Sequence, residues 1–543
     1  MNTHFTLKGQ IVDLIASRIF AGCVTVENGK IVAVEPCETD EKQFIMPGFI
    51  DAHIHIESSM VLPSEFARMA APHGTVATLS DPHEIANVMG MEGVRYMVDD
   101  GKRVPFKFFF GAPSCVPSTG FETAGFTLDA HAIETLMAMD DIYFLAEVMN
   151  CPGVIFDDPE MHHKLAAARK AAKPIDGHAP DLRGDGLKKY VAAGISTDHE
   201  CYTITEAEEK IELGMMIEIR EGSAAKDFDN LIPLLDKHPD KIMFCSDDKH
   251  PDNLLEGHIN TLVKRAIGKG CDVMNVLKAA SLNVVKHYGI QVGLLQPGDD
   301  ADFIVVDNLS DLNVKQTYIK GVLVAENGVS TLPHLPSKAI NNFAIAPITE
   351  EDLFVADEGK AIKVIECIDG QLVTKTRIET PKVEAGNLVS DTERDILKLV
   401  VVNRYAQARP AVAFIKNVGL KRGAIASSVA HDSHNIIATG TSDAEIAAAI
   451  NLVIANKGGI VAYSKEETVV LPLPVAGLMS TDEGHRVAEN YQKADALAHR
   501  FGSKLGTPFM TLAFMALPVI PELKLSDKGL FDVCKFAFTS LFE

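Results

Sequence analysis

The sequence lacks the features of a secreted, disulfide-bonded or membrane-spanning protein. Its nine cysteines are an odd number and include no Cys-x-x-Cys pair, which suits a reducing compartment better than a disulfide framework. No uninterrupted apolar segment follows a basic start at the N-terminus, so we expect no signal peptide. The longest mostly apolar run near the C-terminus, 509–520, is too short to span a bilayer. We therefore expect a cytoplasmic protein.

Positive charge is also scarce. The 543 residues include 51 lysines and arginines but 74 aspartates and glutamates, giving a formal net charge of −23. A chain this acidic has no basic footprint for a polyanion, so nucleic acid and anionic membranes are not expected partners. The hydrophobic fraction of 47% is ample for large buried cores, and the length suits two or three domains.

Three motifs of other enzyme classes are missing. There is no G-x-G-x-x-G after an early strand, which argues against a dinucleotide-binding open sheet. There is no G-x-S-x-G, which argues against a Ser-His-Asp hydrolase. His55-Ile56-Glu57 matches the first half of the H-x-E and P-C-x-x-C zinc pattern, but the second half is absent.

The most informative stretch is FIMPGFIDAHIHIESS, residues 44–59. Its apolar run breaks at Pro47-Gly48, resumes at Phe49 and alternates towards His55. Alternate side chains of a β-strand share a face, so His53 and His55 are expected to point the same way. Two such imidazoles can hold one metal ion, or one ion of a pair. The alternative is a strand with two half-buried histidines.

Between residues 44 and 294, short apolar runs alternate with stretches of helical spacing. Eight strands that alternate with helices favour an α/β fold, the (β/α)8 TIM barrel, over a doubly wound open sheet. The predicted strands are 44–55, 74–83, 107–113, 142–147, 174–178, 194–199, 215–221 and 242–247. The helical stretches include 91–101, 130–139, 161–172, 187–193, 204–213 and 228–237, followed by 254–267 and 273–288.

Two further units are expected beside this barrel. Asn-Gly turns within 27–30 and 326–328 sit beside alternating apolar runs, which is a strong hairpin signal. Because this pattern of alternating apolar runs and Asn-Gly turns occurs on both sides of the 44–294 barrel, we predict that 1–43 and 295–335 pair into a small flanking β-sandwich domain. The proline-containing segment 331–350 reads as a linker. Residues 345–543 mix strands and helices, which predicts a C-terminal α+β domain; one helix, 444–456, ends at a Lys-Gly-Gly sequence.

Ionisable residues lie at the ends of five predicted barrel strands, where the active site of such a barrel is found. Four imidazoles and two carboxylates are enough for two divalent ions that share a bridging group and a water. Each residue taken alone could be structural, but together they predict a two-metal site. The candidate ligands are His53, His55, Glu147, His178, His199 and Asp247.

These residues and their surroundings resemble the amidohydrolase superfamily, and within it the adenine deaminase family. The superfamily resemblance is carried by 47–55, His178, His199, Asp247 and the late Gly298-x-x-Ala301-Asp302-Phe303. The closer resemblance is carried by His55–Ser59, Ser80–Asn87, Ser246–Pro251 and Ala430–Asn435. It covers nearly the whole chain, including the C-terminal unit that most amidohydrolases lack. It implies hydrolysis of adenine to hypoxanthine and ammonia in purine salvage, by a protein that is commonly a homo-oligomer.

One ligand departs from a common pattern of the superfamily. Many two-metal members bridge their ions with a carboxylated lysine on the fourth strand, yet no lysine occurs between Lys107 and Lys164. The resemblance implies that Glu147, at the end of the fourth strand, supplies the bridging carboxylate. The alternative is a solvated loop acid, against which the apolar approach 143–146 argues.

The expected chemistry follows from charge. A metal ion lowers the pKa of a bound water from about 15.7 towards about 7, so hydroxide can attack C6 of the purine at neutral pH. Asp247 is expected to ligate one ion and to take the proton of the attacking water. Other groups must protonate the ring and the leaving ammonia, or else support the ligands. We predict Glu57, His83 and Glu200 as further catalytic residues, and Arg220, Glu221, Ser223 and Asp248 as substrate contacts.

Metal identity and two alternatives stay open in the sequence. Imidazole suits zinc and iron, and a carboxylate bridge also tolerates manganese; the resemblance favours Mn²⁺, with Fe²⁺ or Zn²⁺ as alternatives. A cyclic amide hydrolase of the same superfamily, dihydroorotase-like or imidazolone-hydrolysing, would share the ligands. A non-catalytic scaffold of this fold should have lost them. The loop 431–435 is expected either to cap something local or to fold over the barrel mouth.

Overall fold

The computed structural model describes residues 4–543. Its first strands are β1 (His4–Asp13), β2 (Arg18–Glu27), β3 (Lys30–Pro36) and β4 (Phe44–Pro47). The predicted hairpin joins β2 to β3, and Asn28 and Gly29 at its tip have φ angles of 51° and 82°. Positive φ at both central residues is what a two-residue type I′ turn requires. β4 pairs in parallel with β1.

The apolar run 44–55 forms two strands in two sheets, which corrects the expectation of one barrel strand. β4 pairs with strands on both sides of it in the flanking sheet, and the first barrel strand is β5 (Phe49–Ile54). Pro47 has no N–H with which to continue a ladder. At Gly48 the chain passes so close to Val76 that an added Cβ would collide with its side chain. The pair Pro47-Gly48 is therefore where the chain changes sheets.

Eight strands form the barrel, in the chain order that the sequence predicts. The remaining seven are β6 (Thr75–Ser80), β7 (Lys107–Ala112), β8 (Ile142–Val148), β9 (Ile175–Gly177), β10 (Thr197–Asp198), β11 (Met216–Arg220) and β12 (Ile242–Cys245). β5 to β9 form one parallel sheet and β10 to β12 another. Backbone hydrogen bonds join the two sheets at both seams, from Ser196 N–H to Ile175 O (3.0 Å) and from Asp247 N–H to His53 O (2.9 Å). The predicted (β/α)8 fold is confirmed.

Helices connect the barrel strands. They are α1 (Pro63–Ala70), α2 (His83–Gly101), α3 (Ala130–Met137), α4 (Cys151–Ile155), α5 (Pro159–Lys170), α6 (Gly184–Ala192), α7 (Ile204–Glu212), α8 (Phe228–Leu231), α9 (Leu234–Lys237), α10 (Pro251–Glu256), α11 (Ile259–Gly268), α12 (Val273–Leu277) and α13 (Asn283–Tyr288). The predicted helix 228–237 is two short helices, because Pro233 interrupts the backbone ladder. Asp158 starts α5 by accepting the Met161 N–H.

Strands after the barrel return to the N-terminal sheet. These are β13 (Phe303–Val306), β14 (Val314–Ile319), β15 (Val322–Glu326) and β16 (Val329–Ser330), in the order β16-β15-β14-β13-β4-β1-β2-β3. The sheet curls back on itself, so that Phe5 of β1 stacks on Tyr318 of β14 with ring centroids 5.3 Å apart. Its inner face encloses an apolar core of its own. The limits of the domains themselves remain a prediction.

The C-terminal unit is built on a second eight-stranded sheet, in the order β18-β17-β22-β21-β24-β23-β25-β26. Its elements are β17 (Ile362–Cys367), β18 (Thr374–Glu379), β19 (Lys382–Glu384), β20 (Asn387–Val389), β21 (Ile396–Val402), β22 (Ala411–Lys416), β23 (Ala424–Ser427), β24 (Ile436–Gly440), α14 (Asp443–Ala455), β25 (Gly459–Tyr463), β26 (Thr468–Pro472), α15 (Gly484–Arg500), α16 (Pro508–Ala513), β27 (Leu523–Ser526), β28 (Gly529–Asp532) and β29 (Ala537–Phe538). The predicted helix is α14, which Ser442 caps by accepting the Glu445 N–H.

The C-terminal unit packs against the barrel loops that follow its strands. Ser480 N–H donates to Met60 O after β5 (2.8 Å), and the Asn435 amide donates to Thr123 O after β7 (2.9 Å). One apolar core runs from the barrel into this unit. The contact therefore lies at the barrel end that carries the predicted ligands. Within 4–543, no helix combines the length and the apolar character needed to cross a membrane.

Candidate metal centre

The structure brings the six predicted ligands together at one end of the barrel. Each stands at or just after the end of its strand, because parallel barrel strands all end on the same face. All are buried except His178, whose side chain is 18% exposed. The strands concerned carry His53 and His55 (β5), Glu147 (β8), His178 (β9), His199 (β10) and Asp247 (β12).

Glu147 lies between two groups of imidazoles. Its Oε1 is 3.4 Å from His55 Nε2. Its Oε2 is 2.6 Å from His178 Nδ1 and 3.2 Å from His199 Nε2. A carboxylate with one oxygen towards each group has the arrangement of a bridging ligand between two ions.

The first group consists of His53, His55 and Asp247. The Nε2 atoms of the two histidines are 3.1 Å apart, and Asp247 Oδ1 lies 3.6 Å from the first and 3.1 Å from the second. His55 Nδ1 lies 3.1 Å from the Asp81 carbonyl oxygen. The Nδ1 proton is thus used in that bond, which leaves the Nε2 lone pair facing the carboxylates. This donor set fits a divalent ion.

Charged side chains around the centre shift the pKa values of its residues in the direction opposite to the effect of burial. Burial alone would raise the pKa of the Glu147 carboxyl, but His178, His199 and His83 hold it well below its ordinary value. Burial likewise opposes ionisation of His178, yet the Glu200 and Glu147 carboxylates raise its pKa to about 9. The carboxylates are therefore ionised in a buried site, which is the electrostatic setting that a divalent cation needs.

Two predicted catalytic residues, His83 and Glu57, lie beside this centre. His83 Nδ1 is 3.1 Å from Asp81 Oδ2 and 3.2 Å from Glu147 Oε1. Glu57 accepts the Ile85 N–H at 3.1 Å through Oε1, whereas its buried Oε2 has no partner. Burial raises the pKa of Glu57 to about 7. Asp81 was not singled out by the sequence, although it lies within the Ser80–Asn87 motif.

Arg220 is buried among three carboxylates. Its Nη1 contacts Glu200 and lies 2.9 Å from Asp247 Oδ2, and its Nε lies 3.0 Å from Asp227 Oδ2. Glu200 in turn lies 3.9 Å from His178 Nδ1 through Oε1. The guanidinium therefore orients the Asp247 carboxylate. The predicted contact between Arg220 and the substrate stays a prediction.

The other predicted substrate contacts are engaged with neighbouring loops and helices. Ser58 Oγ donates to Asp248 Oδ1 at 2.5 Å. Ser223 Oγ donates to Asn253 Oδ1 on α10 at 2.6 Å. Glu221 pairs with Arg265 on α11. The structure thus places Ser223 and Glu221 against helices rather than against the six ligands, and their contact with substrate stays a prediction.

The loop 431–435, whose place the sequence left open, lies on the barrel. His431 Nδ1 is 2.8 Å from Glu84 Oε1, and His434 Nε2 contacts Glu84 Oε2. Glu84 stands in the first turn of α2, directly after His83. The sequence signal was the pair of neighbouring motifs, 80–87 and 430–435, but nothing in either showed that they meet.

Comparison with known proteins agrees with this architecture. The profile of the Amidohydrolase family matches residues 44–324, and that of the Adenine deaminase C-terminal domain matches 371–537. An adenine deaminase of Methanosarcina mazei is 54% identical over 98% of this chain and 99% of that protein. An adenine deaminase of Salinibacter ruber is 53% identical over 100% of both chains. One of Borreliella burgdorferi is 47% identical over 98% of this chain and 99% of that protein. The chain therefore belongs to the adenine deaminase family of the amidohydrolase superfamily.

Proposed function

We propose that this chain catalyses the hydrolytic deamination of adenine to hypoxanthine and ammonia, at a centre that holds two divalent metal ions. The observation that carries the proposal is the position of Glu147, with one carboxyl oxygen facing His55 and the other facing His178 and His199. Together with 47–54% identity to adenine deaminases over nearly the whole chain, this supports adenine over a cyclic amide. The full ligand set argues against a scaffold.

The ligands divide between two positions that share Glu147. His53, His55 and Asp247 would hold one ion, and His178 and His199 would hold the other. Glu147 would contribute to both, since one of its oxygens faces His55 and the other faces His178 and His199. When bound, divalent ions would lower the pKa of a water molecule so that hydroxide is available near neutral pH. We propose Mn²⁺ first, because the set mixes imidazole nitrogen with hard carboxylate oxygen; Fe²⁺ and Zn²⁺ are the alternatives.

Asp247 is the proposed general base. Its Oδ1 faces His53 and His55, while Arg220 Nη1 lies 2.9 Å from its Oδ2. The guanidinium fixes the orientation of the carboxylate and favours its ionised form, so that it can accept a proton from the attacking water. Arg220 therefore acts through Asp247 in this proposal, and Glu200 fixes the guanidinium from the other side.

Protons must then reach the purine ring and the leaving ammonia. Glu57 is the proposed donor, because its buried Oε2 has no protein partner and is free to carry a proton. Its other oxygen is fixed by the Ile85 N–H at the start of α2. His83 supports Glu147 from the same helix start.

The proposal also covers the binding partners, the cellular location and the oligomeric state of the enzyme. A net charge of −23 supports a small-molecule substrate without nucleic-acid or membrane partners. A cytoplasmic location and a homo-oligomeric state are inferred from the family resemblance and the cysteine pattern.

An ultraviolet time course of manganese-loaded protein with adenine tests the proposal. We expect conversion to hypoxanthine with one ammonia released per adenine, and loss of the activity when a chelator removes the metal. Dihydroorotate and an imidazolone are the matched substrates for the alternative. Turnover of a cyclic amide without turnover of adenine, in metal-loaded protein, would overturn the proposed substrate.

A further inference from the structure

Glu84 joins the barrel to the C-terminal unit at a buried position. It lies in the first turn of α2 and is 2% exposed. His431 Nδ1 lies 2.8 Å from its Oε1, and His434 Nε2 contacts its Oε2. Both histidines belong to the loop between β23 and β24. We call Glu84, His431 and His434 the Glu84 bridge.

Two imidazoles around one carboxylate also resemble a metal site, but the hydrogen bonds of His434 argue against one. The Ala430 N–H donates to His434 Nδ1 at 3.3 Å. A backbone N–H is always a donor, so Nδ1 carries the lone pair and the ring proton is on Nε2. A protonated nitrogen cannot bind a metal. The His434 Nε2–H therefore faces Glu84 Oε2, and the bridge is a carboxylate in contact with one ring nitrogen of each histidine.

The bridge reaches the metal centre through His83. Glu84 Oε1 lies 3.4 Å from His83 Nε2. The opposite ring nitrogen, His83 Nδ1, lies 3.2 Å from Glu147 Oε1. A continuous row of side chains therefore runs from the C-terminal loop to the carboxylate that faces both imidazole groups.

Packing fixes the loop before any substrate binds. The His431 ring stacks on Phe514 of the C-terminal unit, with centroids 4.3 Å apart and an interplanar angle of 14°. The His434 N–H donates to Ala430 O at 2.7 Å. Next to it, the Asn435 amide holds the barrel through Thr123 O. The two histidines are thus presented to Glu84 by a loop that is anchored on both sides.

We propose that the C-terminal unit helps to position the residues of the catalytic site. His431 and His434 hold the Glu84 carboxylate, and Glu84 in turn positions His83 against Glu147. The three residues of the bridge are positioning residues that act through His83. Charge-assisted hydrogen bonds to a buried carboxylate are strong and directional, and partners of metal-ligating groups are known to tune the centre. The kinetic part of this inference rests on the proposed function.

The test compares Glu84→Gln with a matched change at the same contact between the units, Asp527→Asn. Asp527 accepts the Thr123 N–H at 2.8 Å and the Asn403 amide at 2.9 Å, and it touches no residue of the bridge. In Glu84→Gln the amide NH₂ faces one of the two donors, so the bridge cannot close. We expect kcat with adenine to fall roughly 10- to 100-fold with KM little changed, while Asp527→Asn stays near the wild type.

A readout independent of activity separates this inference from the proposed function. Both variants and the wild type are loaded with Co²⁺, and their visible absorption and metal content are compared. We expect two ions per chain in all three proteins and a changed spectrum in Glu84→Gln alone, because Glu147 is oriented differently. A wild type that is inactive with adenine would overturn the proposed function, whereas this spectral difference would still support the bridge.

Three results would overturn the inference. The first is a Glu84→Gln variant whose Co²⁺ spectrum and kcat both equal those of the wild type. The second is an Asp527→Asn variant that changes the spectrum and kcat as much as Glu84→Gln does. The third is a third Co²⁺ ion that the wild type binds and Glu84→Gln does not. If Glu84→Gln fails to fold, His431→Phe carries the test, because it keeps an aromatic ring beside Phe514, removes the donor to Glu84 and leaves the His434 contact in place. The same expectations apply to it.

Discussion

Glu147 shows how a single residue determines the relation between the two halves of the centre. A glutamate reaches both imidazole groups from β8 because its two oxygens lie 3.4 Å from His55 and 2.6 Å from His178. No chemical modification of a lysine is then needed. The short apolar approach along β8 buries the carboxyl, and the surrounding imidazoles keep it ionised. In the proposed centre, Glu147 would therefore take the place of a modified lysine.

The change Glu147→Ala is expected to abolish activity and to lower the metal content below two ions per chain, because both positions lose a ligand. The barrel should stay folded, since the side chain points into the centre and not into the apolar core. Mass spectrometry of bound metal and far-ultraviolet circular dichroism measure the two properties. Glu134→Ala, which removes an exposed carboxylate on α3, is the control. Full activity in Glu147→Ala would contradict the bridging role.

Lys524 is a second residue whose buried environment has a measurable consequence, because it changes the pKa of the side chain. It is fully buried on β27, and Nζ donates to Leu372 O at 2.7 Å and to Phe514 O at 3.0 Å, without a carboxylate partner. Burial lowers its pKa from the ordinary 10.5 to about 7. Between these values the unfolded chain binds a proton that the folded chain does not. The contribution of Lys524 to stability therefore rises with pH across this window.

Replacing Lys524 by methionine should remove this pH dependence. The free energy of unfolding of the wild type, minus that of Lys524→Met, is expected to increase by about 2 kcal/mol between pH 7.5 and 9.5, since one pKa unit corresponds to about 1.36 kcal/mol. Urea unfolding at the two pH values measures it. Lys493→Met, at an exposed lysine on α15, should give no such difference. A constant difference for Lys524→Met would refute the assigned shift.

At the scale of elements, the turn from β4 to β5 separates two sheets within a few residues. Glycine at position 48 allows the backbone to pass the Val76 side chain on β6. Gly48→Ala is expected to lower the free energy of unfolding by about 1–3 kcal/mol through overpacking. Gly268→Ala, at the end of α11 with nothing within 4 Å of the added Cβ, should be neutral or slightly stabilising. Thermal unfolding of both variants compares them, and equal transitions would contradict the close approach.

The same turn marks where prediction from sequence succeeds and where it stops. Alternation and strand order predict that His53, His55 and the other candidate ligands lie at strand ends, where the structure has them, because these are local properties of a β-strand. An apolar run cannot reveal that its first four residues belong to another sheet, since both strands are buried. Nor can spacing reveal the contact of Glu84 with His431, which are 347 positions apart. Local patterns predict elements, whereas contacts between units require the packed chain.

At the scale of the whole molecule, the barrel and the C-terminal unit share one apolar core. Polar contacts such as Gly484 N–H to Glu65 Oε1 (2.9 Å) and the Glu84 bridge cross the same boundary. Separating the units would expose apolar surface and leave the buried Glu84 carboxylate without its donors. We therefore expect the two units to unfold together rather than one after the other.

The absence of tryptophan from the sequence makes this expectation easy to measure. Tyr143→Trp places a single reporter on β8 of the barrel, and Phe354→Trp places one in the C-terminal unit; both sites are partly exposed, at 36% and 43%. The urea transitions of the two variants, followed by fluorescence, should coincide with each other and with circular dichroism. If the reporter in the C-terminal unit changes at a lower urea concentration than the reporter in the barrel, the C-terminal unit detaches from a folded barrel. In that case adding Glu84→Gln to both variants should widen the gap, since it weakens a contact that crosses the boundary.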